Sequence, residues 1–189
     1  MPSIDPIRAG GARDTRPTSA RVRRAAAASV LLALTAAGCG DGATGPSGPG
    51  TGQLSASGAV SASGSGIALF QSASSGGTSL FQVMVAPTSA AAAMWQLQIV
   101  SYTGRPAVGT YAISPLSASS TNPTANFYYA SGGSMQLYIA TSGQLVITTS
   151  SPSAVAGTFT FTATNTDGPG TVTAEGSFNA QCAPGTACQ

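Results

Sequence analysis

The sequence contains no histidine and no lysine, and only five carboxylates in 189 residues. Serine and threonine are abundant, but a hydroxyl becomes a useful nucleophile only beside a base such as histidine or lysine. The chain is therefore read as non-enzymatic, with no cofactor. Cations are equally scarce where a folded domain would lie. Six of the seven arginines (Arg8, Arg13, Arg16, Arg21, Arg23 and Arg24) precede residue 39, with only Asp5 and Asp14 against them; beyond it Arg105 stands alone against Asp41, Asp167 and Glu175. The formal charge of +2 thus belongs to a leader at +4, and the remainder carries −2. Nucleic acid is excluded as a partner, because binding it requires several cations placed to displace phosphate counterions. No apolar run approaches the roughly 18 residues of a transmembrane helix, yet a hydrophobic content of 42 % demands a core.

What is present first is an export pattern. Residues 21–39 read RVRRAAAASVLLALTAAGC: a cationic stretch, an apolar run from Ala25 to Ala37, and small residues before Cys39. The segment resembles the signals of bacterial lipoproteins, in which a box of small and aliphatic residues ends in a cysteine that receives diacylglycerol. The resemblance implies that residues 1–38 are removed and that Cys39 carries the lipid. The mature chain would then sit in the cell envelope, membrane-anchored and facing the periplasm or exterior. Gly40, where an aspartate would favour inner-membrane retention, points to the outer membrane in a cell that has one. The stretch before Arg21 is long and polar for a signal n-region, and initiation at Val22 would give a compact leader. Arg23 and Arg24 form a twin arginine followed by alanines, so general secretion is the expected route.

Cysteine arithmetic agrees. Three cysteines would leave a reactive thiol in an exported protein; a lipid on Cys39 leaves Cys182 and Cys188 as a pair in CAPGTAC, around a Pro184–Gly185 turn. A disulfide is expected there. A zinc site is not, since the chain has neither a histidine nor a third cysteine nearby.

Residues 39–65 are dominated by glycine, serine, threonine and proline, a composition that buries little and reads as a tether. A weak first strand over 54–62 would end that tether near Gln53. All twelve aromatic residues lie beyond residue 66, which sets the domain at 66–189. Its signal has period two, as in Trp95, Leu97 and Ile99 against Gln96, Gln98 and Val100. Strands are expected near 66–73, 78–86, 94–101, 108–113, 125–130, 134–140, 144–149, 155–164 and 171–180, separated by turns rich in Gly, Ser, Thr and Asn. Residues Ala90 to Ala93 would make at most one helical turn. The fold class is all-β: an antiparallel β-sandwich or flattened barrel of about nine strands.

Within the domain, VAGTFTFTA over Val155–Ala163 precedes a hairpin and VTAEGSFNA over Val172–Ala180, and Gly109 and Tyr111 form a Gly-x-Tyr strand upstream. The domain resembles a group of small β-rich bacterial lipoproteins of uncharacterised function that share a Gly-Thr-Phe-x-Phe strand. That resemblance implies fold and location, with no activity to inherit.

Few residues remain as candidates for a site. Asp167 and Glu175 flank the Gly168–Gly170 turn and read as solvated charges, because a convex hairpin tip offers no substrate cleft. Asn165, Asp167 and Gly168 provide too few carboxylates for calcium, and no metal is expected. Arg105 would grip an anionic ligand or serve as a surface or ion-paired charge. In Asn126–Ala130 successive side chains alternate between faces, so Tyr128 points away from the side that takes Phe127 and Tyr129. It would stack on a sugar or seat a partner. Trp95 is expected in the core. The leading reading is a lipid-anchored structural or binding module of the envelope, held to the membrane by its lipid and recognising a glycan or envelope protein. The alternatives are a carrier of a small apolar ligand in a barrel cavity and a carbohydrate-binding module built on exposed aromatics.

Overall fold

The structure is a computed structural model that describes residues 49–75, 77–88, 93–116, 121–186 and 188. The leader, Cys39 and most of Ala90–Ala93 lie outside the described residues. Within them all regular structure is β: β1 (Gly50–Gly58), β2 (Ala62–Ser75), β3 (Thr78–Pro87), β4 (Ala93–Ser101), β5 (Gly109–Ile113), β6 (Thr124–Ser131), β7 (Ser134–Ser150), β8 (Ala154–Asn165) and β9 (Thr171–Cys182). Eight of these close into an antiparallel barrel in the order β1, β2, β3, β4, β6, β7, β8, β9, with the β7–β8 ladder completing the ring; β5 lies outside it against β7. Closure settles the choice between sandwich and barrel, and it removes the unpaired edges that an open sheet would expose.

Two boundaries differ from the sequence reading. The tether does not extend to residue 65, because β1 begins at Gly50 and β2 at Ala62. The segment GTGQLSASG has little hydrophobicity of its own, but it alternates strictly. Gly50, Gly52, Leu54 and Ala56 are buried while Thr51, Gln53 and Ser55 face outward. Its order comes from ladders to β2 on one side and β9 on the other, so tertiary pairing overrides composition. The second difference is that 134–140 and 144–149 form one strand. Thr141–Gly143 is no reversal; it is an irregularity in β7, where the register against β8 shifts between Ala140 and Ser142. Because β8 runs unbroken alongside both halves, β7 bends and continues, pairing first with β6 and then with β5.

The barrel interior is filled. Phe70, Phe81, Phe127, Tyr138, Phe161, Leu97, Leu145 and Ile147 are all under 2 % exposed, and each contributes roughly 1.5–3 kcal/mol by leaving water. The rings meet in tilted pairs, Phe70 with Phe81 at 5.9 Å, Phe127 with Tyr138 at 6.0 Å and Phe159 with Phe161 at 6.0 Å between centroids. The buried Tyr138 phenol donates to Gln136 Oε1 at 2.6 Å, which meets its need for a partner. An eight-stranded barrel has just enough width for side chains to fill it, and small residues stand among the rings: Ala56, Ala68, Ala163, Ala174 and Gly176. At Gly176 a Cβ would collide with the Gln53 carbonyl and the Phe159 ring. Gly176→Ala is accordingly expected to destabilise the barrel by about 1–3 kcal/mol, read from the midpoint of a denaturant titration.

Candidate functional site

At the end of the barrel where β1 starts, β2 and β9 extend beyond it and pair directly in parallel, Leu69 with Gln181 and Phe70 with Cys182. The chain then turns over this end. Ala183 N–H donates to Phe70 O at 2.8 Å, and the Cys182–Cys188 disulfide closes the turn with Cα atoms 5.9 Å apart. Cys188 is only 7 % exposed and belongs to the core cluster. Arg105 reaches the same place from the β4–β5 connection and donates from Nη1 to Cys188 O at 3.2 Å. That connection is itself pinned, Gly104 N–H to Ser79 O at 3.1 Å and Ser150 Oγ to Pro106 O at 2.7 Å. The guanidinium is half-buried and bonded to a carbonyl, so it clamps the tail.

Tyr128 stands on the outer face of β6, half-buried, in cross-strand register with Gln96 of β4 and Leu137 of β7. Further along the same face of β6, Thr124 Oγ1 and Asn126 Oδ1 are buried without a hydrogen-bond partner. Trp95 is 6 % exposed within the core, as its alternation predicts. Asp167 N–H donates to Asn165 Oδ1 at 2.7 Å, and Asn165 N–H to Gly170 O at 2.9 Å. This side-chain-supported turn is the β8–β9 hairpin tip. Among the described residues no three His, Cys, Asp or Glu side chains are grouped to hold a metal.

A concavity lies elsewhere. A groove of about 630 Å³ crosses the outer faces of β2, β1, β9, β8 and β7. With neighbouring strands ~4.8 Å apart, five strands span roughly 19 Å. Period-two alternation sends one side chain in two outward, and where these strands line the groove the outward residues are mostly hydroxyls or amides. In register across the barrel, Ser63, Ser55, Glu175, Thr160 and Gln144 form one row. Ser65, Gln53, Ser177, Thr158 and Val146 form the next. The short serines and threonines keep the surface close to the backbone, while Gln53, Gln144 and Glu175 are long enough to stand above it. The only ring lining the groove, Phe159, is 3 % exposed and belongs to the interior. Glu175 is the single charged residue of the lining.

Tyr128 and Arg105 are therefore brought neither to each other nor to this groove, whereas Glu175, read from the sequence as a solvated charge beside a hairpin tip, lies inside it. Glu175 lies four positions along β9 from Thr171, where the strand begins, which carries it away from the tip that holds Asp167. A signal was present: threonine at 158, 160, 162 and 164 marks one face of β8 as uniformly hydroxylic. The other half of the groove comes from β1, which low hydrophobicity concealed. No protein-family model, curated protein or solved structure matches the chain. Arg105→Ala is expected to lower stability by about 1–2 kcal/mol, since a charge-assisted hydrogen bond at the tail is lost, and to speed reduction of the disulfide by dithiothreitol; chemical denaturation and thiol titration read the two effects.

Proposed function

We propose that this protein is a lipid-anchored, non-enzymatic module of the cell envelope that holds a polyhydroxylated chain, a glycan, in the groove across β2, β1, β9, β8 and β7. The observation that carries the reading is the lining itself. Serine, threonine and glutamine side chains supply donors and acceptors in regular rows, which suits hydroxyl-bearing ligands, and the lining holds no cation for a phosphate or sulfate. The anchor rests on the signal pattern ending at Cys39. With β1 starting at Gly50, ten residues separate the cysteine from the barrel, a reach of at most about 35 Å. The ligand would therefore be met close to the membrane surface.

The same geometry favours this over the two alternatives. A carrier needs internal space, and the inward-facing positions of the barrel are occupied by large, fully buried side chains. An aromatic shelf centred on Tyr128 would need companion rings, and its cross-strand neighbours are Gln96 and Leu137. Hydrogen bonds without stacking give modest affinity, because each net bond is worth only about 0.5–1.5 kcal/mol; many copies displayed on a membrane compensate through avidity.

Two experiments test the proposal. Cys39→Ala protein should move from the membrane to the soluble fraction on cell fractionation, and its retention with membranes would refute the anchor. In affinity electrophoresis through gels containing neutral β-glucan or N-acetylated chito-oligosaccharide, the full chain should be retarded. Thr160→Val with Ser177→Val should abolish the retardation and Tyr128→Ala should leave it intact. Absence of retardation for the unaltered protein, or its persistence in the double variant, would remove the glycan reading.

A further inference from the structure

The groove carries one charge, and its surroundings determine what that charge can meet. Glu175 projects from the middle of β9 on the outward face, with Ser55 opposite it on β1 and Thr160 opposite it on β8. Both neighbours are short, neutral hydroxyls, and the side chain is exposed. Among the described residues the only cation is Arg105, which is bonded to Cys188 O at the barrel end and does not line the groove. The carboxylate therefore has no internal counter-ion. A carboxylate kept in a ligand-sized groove without a cation repels phosphate, sulfate and uronate groups and attracts a positively charged one. The hydroxyl rows on either side would bind the neutral remainder of the same chain.

From this we infer that the groove prefers a glycan bearing free amino groups, a polymer of de-N-acetylated amino sugars, with Glu175 as the residue that reads the ammonium. The inference rests on the glycan-binding reading and adds the ligand's charge to it. Specificity of this kind is partly repulsive: the lone carboxylate discriminates against anionic polysaccharides while one ammonium–carboxylate contact selects the amine. Asp167 does not share the role, because it lies at the hairpin tip and outside the groove.

The test compares N-acetylated and de-N-acetylated chito-oligosaccharides of equal length by isothermal titration calorimetry, using the full chain in detergent at about pH 5, where the amine of an amino sugar, less basic than that of a lysine side chain, is protonated. The unaltered protein should bind the amino form about fivefold more tightly, as expected for one partly exposed ion pair, and the preference should shrink as salt is raised. Glu175→Gln, which keeps the side chain's shape, should bind both forms equally and the N-acetylated form as before. Asp167→Asn, which removes the same charge from the domain away from the groove, should keep the preference. Equal binding of the two forms by the unaltered protein, a preference that survives Glu175→Gln, or one that vanishes equally with Asp167→Asn would overturn the amino-sugar inference while leaving glycan binding in place. Failure to bind either form would overturn both.

Discussion

The arrangement depends on how eight strands share one narrow interior. Closing the ring leaves room for about one layer of large side chains from each wall, so every ring pointing inward needs something small across from it. Phe159 against Gly176 is the tightest case, since the glycine has room for no side chain between the phenyl ring and the Gln53 carbonyl. Ala174 stands beside Phe161 in the β8–β9 register, and Ala56, Ala68 and Ala163 are buried in the same core. β1, the least hydrophobic strand, takes part in the same way: a Cβ at Gly52 would meet the Val85 side chain, and its backbone joins β2 to β9.

Closure also governs the outside. With the apolar residues of β8, β9 and β1 committed inward, strict alternation obliges the intervening positions to face solvent, and there they are nearly all threonine, serine and glutamine. A lattice of hydroxyls spaced by the strand separation and the two-residue repeat follows from backbone geometry alone. On these three strands the rings lie within and the hydroxyls without, whereas the outer faces of β4, β6 and β7 carry Met94, Tyr128 and Met135. The ends are handled separately. The disulfide-closed tail and the Arg105 clamp cover the interior where the β4–β5 connection crosses, so the domain's one cation is used for closure and the groove is left with a lone negative charge.

Several of these features were legible from residue order. Alternation located β2–β4, β6, β8 and β9 to within a few residues, and the spacing of Cys182 and Cys188 around Pro-Gly disclosed the disulfide. Trp95 was placed in the core for the same reason. The failures share a cause: they occur where a segment's conformation is set by what lies beside it. Thr141–Gly143 reads as a turn and is held in a continuous strand by β8. Gln53 to Ser65 read as linker or weak strand and are held by β9 and β3 through β1 and β2. Arg105 read as a ligand grip or surface charge, and its partner is a carbonyl 83 positions away.

Local periodicity and composition determined by themselves that the domain is all-β, which faces of its strands are apolar, and that it holds neither histidine nor lysine, because alternation and residue type are properties of short stretches. The closing of the ring, the recruitment of β1, and the meeting of Glu175 with Ser55 and Thr160 in one groove were decided only by tertiary structure. Those depend above all on the register of β1 with β9, segments more than a hundred residues apart, and no local pattern encodes which outward faces become neighbours.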